Sequence, residues 1–515
     1  MPELKQRQDL VFTALALGLV AVASILSPFL GLPALGAVLA IFLLTRATPS
    51  ELRLPLVIAV LAIGGIDGLP GPDLTTVHLS QGLNAQDFDV FGLCVALLIY
   101  NLRYGSGRLL SSTLGRIVVA SSLLFTVLWL MTIYRTISDS AMPFVNAANY
   151  GHDLLSFAVM LPLFVRPLQD RNTRKVIAAV VGADVCIESL LYIAEALSGK
   201  SFGFLLHVHN TILQGGLTRP YSPVQDLFVA GVPLGLAVAA MGPSRRVRAY
   251  GAVVTVLTLL ATIAGQTRAQ YVGVTAGIAV AALLWLANSE PRARAARNRV
   301  LRALAAFVLV VATLALIPGG PTSKVLSTAS SRLSSISSTV ANKDPSQSTV
   351  AVRLNDVRVL DQLLRGHKTF GVGFLDPSYV YESQLENGSL RNPDVGIYNV
   401  VATMGISGTA VYYLPAVAIT LWLLVGIRAR STERWMLTSA VFAWSVSTLI
   451  DSLTLITLFS PTGVVVAAAM LALGVAIVLQ DDESPPVVSG STRFSFVQLR
   501  SKRYRLRRSK RVSIA

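Results

Sequence analysis

Apolar residues in this chain fall in long unbroken blocks separated by short polar connections, the pattern of helices that cross a hydrocarbon core rather than of amphipathic helices on a soluble core. About fourteen such blocks can be read, at 10-28, 30-45, 52-66, 88-102, 115-134, 152-165, 175-197, 224-241, 247-264, 269-287, 300-317, 396-426, 434-450 and 455-479. The pattern predicts an all-α polytopic membrane protein. It is interrupted once, at 318-395, by a polar segment far longer than the other connections, and loops of that length usually carry function. The first half of that loop is rich in Ser and Thr from Thr322 to Thr349, with Val325, Ala329, Leu333, Ile336 and Val340 at helical spacing. Its second half repeats the spacing in Val357, Leu360 and Leu364. Two short helices acting as a lid over the bundle are expected there. The chain thus divides into 1-317 (eleven spans), the 318-395 loop, 396-480 (three spans) and a basic tail, 481-515.

Composition agrees: 53% of the 515 residues are apolar and 14% charged, with a mean hydropathy of +0.62. The net charge of +16 does not point to nucleic acid, because the cations cluster in alternate connections and in the tail. The clusters run from Arg46 with Arg53 and Arg103 with Arg108 and Arg116, through Arg166 to Lys175, Arg245 to Arg248 and Arg292 to Arg302, to Arg428 to Arg434 and the tail after Arg493. The connections between them are acidic or near neutral, as in 67-89 with Asp67, Asp73, Asp87 and Asp89. Lys and Arg resist translocation, so both termini are expected in the cytoplasm, the chain in the cytoplasmic (inner) membrane and the 318-395 loop outside. The tail suits anionic membrane lipids at the inner leaflet, or serves only as a topology anchor. Lys5 and Arg7 precede a first apolar block that reads as an uncleaved span, since a second block follows at once. Cys94 and Cys186 lie inside apolar blocks and support neither a disulfide framework nor a metal site.

The chain has no Gly-x-x-x-x-Gly-Lys phosphate loop, no His-Glu-x-x-His helix and no Gly-x-Ser-x-Gly elbow, which removes the main signatures of nucleotide hydrolysis and protease chemistry. Two arginines stand on the cation-poor side: Arg219, just before the eighth block, and Arg268, in a very short turn between the ninth and tenth. An arginine costs roughly 2.5–3.5 kcal/mol at the bilayer centre, so each must reach the interface or face a protein-lined cavity. One reading is a diphosphate clamp, the other snorkelling to lipid head groups. Asp184, Glu188 and Glu195 fall within about 40° of arc on the seventh span. That face is expected to turn inward, to pair with Arg219 or Arg268, to carry protons or a cation, or to form a polar network between helices. Asp87 and Asp89 could hold a divalent metal but read more simply as solvated loop acids. His207, His209 and His367 lack metal-site spacing, and neither metal nor cofactor is expected.

Three local patterns resemble the O-antigen ligase and O-antigen polymerase family. They are Gly265-Gln266-Thr267-Arg268-Ala269, the run from Arg353 through Leu360 and Leu363 to Phe370-Gly371-Val372-Gly373-Phe374, and the stretch from Asp394 to Gly405-Ile406-Ser407-Gly408. Arg219 before a Pro-rich step is a looser fourth. The resemblance covers roughly Leu217 to Leu479. It implies a glycosyltransferase using a polyprenyl-diphosphate-linked glycan donor and a glycan or lipid-linked acceptor; a polysaccharide assembly complex is a candidate partner. It makes 352-395 the catalytic half of the loop. Ligases of the family carry a His-Asn pair where this chain has Asp394-Val395, so Asp394 becomes the candidate base, with Tyr398-Asn399 as the alternative pair. Arg219, Arg268 and Arg353 would then hold the diphosphate. Competing readings are a lipid-linked oligosaccharide flippase or other transporter, a metal-dependent polyprenyl-monophosphate sugar transferase using Asp87 and Asp89, and a non-catalytic scaffold.

Overall fold

The computed structural model describes residues 85–105, 109–140, 144–198, 211–214, 217–220, 225–242, most of 244–287, most of 357–374, 396–426, 432–453 and 461–481. Within them the chain is helical but for one antiparallel strand pair. The helices are α1 (Ala85–Tyr104), α2 (Thr113–Ser140), α3 (Phe144–Gln169), α4 (Arg171–Ser198), α5 (Gln225–Met241), α6 (Arg245–Ala264), α7 (Arg268–Ala287), α8 (Ile397–Gly426), α9 (Thr432–Asp451) and α10 (Pro461–Asp481). Each matches a block expected from hydropathy, with ends shifted by a few residues. The expected spans at 10-28, 30-45, 52-66 and 300-317, and the Ser-rich half of the loop, lie outside the described residues, so the total of fourteen is not tested. Four segments, Thr113–Asp139, Thr173–Ser198, Arg245–Ala264 and Ile397–Val425, are long and apolar enough to cross a membrane. This is a multi-pass membrane protein.

Local chemistry sets several helix ends. Asp170 caps α4 by accepting from the Thr173 amide and hydroxyl, both at 2.7 Å, and Ser244 caps α6 by accepting from the Val247 amide at 3.2 Å. Packing then follows membrane rules, with small residues admitting close backbones and polar side chains bridging helices. Gly235 of α5 faces Gly251 of α6 so closely that a Cβ on Gly251 would lie 2.8 Å from the Gly235 carbonyl oxygen. Asn101 of α1 donates to the Leu163 carbonyl of α3 at 2.8 Å, and the Tyr250 hydroxyl of α6 meets the Ala178 and Ala179 carbonyls of α4. Tyr412 of α8 inserts between Phe125 of α2 and Phe157 of α3, with ring centroids 5.1 and 5.0 Å away. The opposite stripe of α2, including Leu123, Leu124, Val127, Leu130 and Tyr134, is exposed, as a lipid-facing surface requires.

The strand pair, β1 (Thr211–Gln214) and β2 (Leu217–Pro220), qualifies the all-α expectation. Its register sets Ile212 opposite Arg219 and Gln214 opposite Leu217. The reason is local: alternating residues flank Gly215-Gly216, a two-residue hairpin signal. β2 packs on α4.

Candidate active site

Two constructions occupy the same end of the bundle, where α2, α4, α6 and α9 finish and α5, α7 and α8 begin. The first joins the loop to α8. Gly405, inside α8, has φ +69° and ψ −173°, which breaks the helix after its second turn. In a continuous helix the Ile406 and Ser407 amides would donate to the Ala402 and Thr403 carbonyls. Here all four groups are re-partnered onto the loop. Val372 N–H donates to Ala402 O at 2.8 Å and Gly373 N–H to Thr403 O at 2.9 Å, while Ile406 N–H donates to Lys368 O at 2.9 Å and Ser407 N–H to Thr369 O at 3.1 Å. The break therefore leaves none of these four groups without a partner.

The crossing is tight because both motifs supply glycine. A Cβ on Gly371 or on Gly405 would sit 2.5 Å from the other residue's amide nitrogen, and both have positive φ. The next residues fix the loop to α2. Phe374 N–H donates to the buried Thr136 hydroxyl at 2.8 Å, and the Phe374 ring packs near Trp129, whose indole N–H donates to Gly151 O at 2.7 Å. Upstream, the expected helical face of the loop is present: Leu360 is buried with Ala402, and Val357 packs against them. Both glycine motifs stand out in the sequence, whereas their reciprocal bonding and the parts played by Thr136 and Trp129 leave no sequence signal.

Beside this clasp a cavity of about 370 Å³ opens between α2 and the 366–370 turn. Arg135 of α2 lines it, donating to Phe370 O at 3.4 Å, lying 3.4 Å from His367 Nδ1 and forming a loose ion pair with Asp139 at 3.9 Å. Sequence reasoning passed over Arg135. The available signal was its position: a cation at the cation-poor end of a span, outside the alternating clusters.

The second construction carries Arg268. α6 ends at Ala264 and α7 starts at Arg268, so the very short turn expected there is observed. Gly265 N–H closes α6 onto Ala261 O at 2.9 Å. Thr267 donates to Gln225 Oε1 at 3.4 Å, and Gln225 donates to the Tyr192 hydroxyl at 2.6 Å, which ties the turn to α5 and α4. On α4, Glu188 and Glu195 flank Tyr192 on the same face and both are buried, so the inward turn expected of the acidic face holds for these two. β2, which carries Arg219, packs on the same helix.

Tyr398 and Asn399 fall in the first turn of α8, Tyr398 exposed and Asn399 half-buried. Ile397 N–H donates to Ser452 O at 2.8 Å, joining this turn to the end of α9, where buried Asp451 lies against Gly273 of α7. Arg219, Arg268, Tyr398 and Asn399 thus sit on elements gathered at one end of the bundle. Arg353 and Asp394 lie outside the described residues. Asp87 and Asp89 belong to the start of α1 rather than to a loop.

Residues 253–413 match the model of the family described as O-Antigen ligase. The match begins within α6, takes in the Arg268 turn and the whole loop, and ends past the clasp in α8. It supports membership of the O-antigen ligase family, the resemblance drawn from the short motifs. No curated protein matches the chain significantly.

Proposed function

We propose that this chain is a metal-independent membrane glycosyltransferase that transfers or polymerises polyprenyl-diphosphate-linked glycan units at the outer face of the cytoplasmic membrane. The observation that carries the reading is that the O-antigen ligase match spans both constructions of one bundle end, the Arg268 turn and the Gly371–Gly405 clasp. In the reaction, an acceptor hydroxyl oxygen attacks the anomeric carbon of the donor sugar. The bond from that carbon to the diphosphate oxygen breaks, its electron pair leaves on the diphosphate, and the hydroxyl proton passes to a base. The leaving group needs charge neutralisation more than protonation, which guanidinium groups supply through paired hydrogen bonds. Arg219, Arg268 and Arg353 take that role. Asp394 is the base, with Tyr398 and Asn399 beside the acceptor.

The test is complementation of a deletion strain. Arg268→Ala is expected to insert normally and to form no polymer or ligated glycan, with lipid-linked units accumulating on the outer leaflet; an active variant overturns its role. Asp394→Asn with full activity would remove the base assignment. Accumulation on the inner leaflet would favour a flippase, and activity abolished by chelation a metal-dependent transferase.

A further inference from the structure

We infer that the cleft between α2 and the 366–370 turn binds the phosphate head group of a membrane lipid, held by Arg135 with His367, its chain lying along the exposed ridge of α2. The inference does not depend on glycosyl transfer. The cleft is lined by the apolar Leu128, Met131, Phe370 and Met404 and by the polar Thr132, Thr369, Arg135 and His367. Arg135 lies one turn from the end of the apolar segment Thr113–Asp139, which is the level of lipid head groups when that segment spans a bilayer. Below it, on the same face of the helix, Leu124 and Met131 are exposed. A cation over an apolar ridge at that depth complements a phosphate attached to a hydrocarbon chain.

The site is built rather than incidental. A snorkelling arginine extends to water, but Arg135 reaches across to a turn more than two hundred residues away in sequence, meeting Phe370 O and His367 Nδ1. Its neighbour Thr136 fixes that turn's continuation through the Phe374 amide. The guanidinium has five N–H donors, and its contacts to the turn and to Asp139 are long, at 3.4 to 3.9 Å. They aim the group while leaving donor capacity for an anion. The cleft is also separate from the Arg268 turn, since α2 packs on α3 and α8 whereas α7 packs on α9 and α5.

The experiment uses the full chain in phosphatidylcholine nanodiscs with a trace of phosphatidic acid bearing a photoreactive acyl chain, compared with the diacylglycerol of the same chains. The phosphate probe is expected to label the 124–135 peptide, and Arg135→Gln to reduce that labelling roughly tenfold, the loss expected for a charge-assisted hydrogen bond. Arg135→Lys should retain part of it. Equal labelling by the two probes, or full labelling of Arg135→Gln, would reduce the cleft to ordinary lipid contact and overturn the inference. Abolition by inorganic phosphate, or by a soluble oligosaccharide, would assign it to a soluble ligand and overturn it as well. If Arg135→Gln fails to fold, as read by its melting temperature, His367→Gln carries the same comparison: reduced labelling supports the site and unchanged labelling rejects it.

Discussion

At the scale of single residues, Gly405 decides whether the loop and α8 can meet. Its φ of +69° with ψ near −173° lies in a region essentially closed to side chains, at a cost of about 1–3 kcal/mol. A Cβ there would also run into the Thr369 carbonyl, which is backbone and cannot swing aside. Gly405→Ala is therefore expected to lose more than the strain alone, through opening of the four exchanged hydrogen bonds. A lowered melting temperature in detergent, with faster proteolysis at 366–374, checks it. Gly92→Ala serves as the control, because a Cβ at Gly92 would meet nothing within 4 Å and alanine is favoured over glycine inside a helix by about 0.5–1 kcal/mol. An unchanged Gly405→Ala melt would mean that the clasp contributes nothing to the fold. Both glycine motifs were visible in the sequence. Their relation was not, because a helix break that hands its amides and carbonyls to a segment thirty residues upstream leaves no periodic trace. Arg135 was hidden for a different reason: one cation directly after the 115-134 block leaves the hydropathy of that block unchanged.

At the scale of elements, hydropathy located the described helices well, since a membrane span announces itself by composition over about twenty residues. It gave no partners. Which helix meets which is set by small residues and single polar side chains, and these do not stand out in apolar sequence. The α5–α6 pair shows this, with Gly235 and Gly251 back to back and Thr255 crowding Gly235. A Cβ on Gly251 would lie 2.5 Å from the Ala239 amide and 2.8 Å from the Gly235 carbonyl, so even alanine forces the helices apart. Gly251→Ala should cost about 1–3 kcal/mol, the usual range for overpacking. Because α5 also carries Gln225, which steadies the Arg268 turn through Thr267, the same substitution should lower the proposed transferase activity before it unfolds the chain. Activity and melting temperature measured together separate the two effects. Loss of stability with activity kept would detach the turn from the α5–α6 crossing. The β1–β2 hairpin is legible from Gly215-Gly216, a signal too short to register in hydropathy averaged over a span length.

At the scale of the whole molecule, the described helix ends sort into two sets consistent with strict alternation across a layer. The ends at 198, 225, 264, 268, 397 and 451 share one side with the Arg135 end of α2, and those at 169, 171, 241, 245, 426 and 432 lie at the other. The cation clusters Arg166 to Lys175, Arg245 to Arg248 and Arg428 to Arg434 all belong to the second set. Charge bias assigns that side to the cytoplasm, and the proposed chemistry requires the first set to face outward. Single-cysteine labelling decides it. With Cys94 and Cys186 replaced, Thr369→Cys and Arg245→Cys both offer exposed positions, one at each side. In right-side-out vesicles a membrane-impermeant maleimide should label the cysteine at 369 at once and that at 245 only after permeabilisation. The reverse order would put the clasp, the Arg268 turn and the Arg135 cleft in the cytoplasm, and an outer-face transferase could not then be built from them.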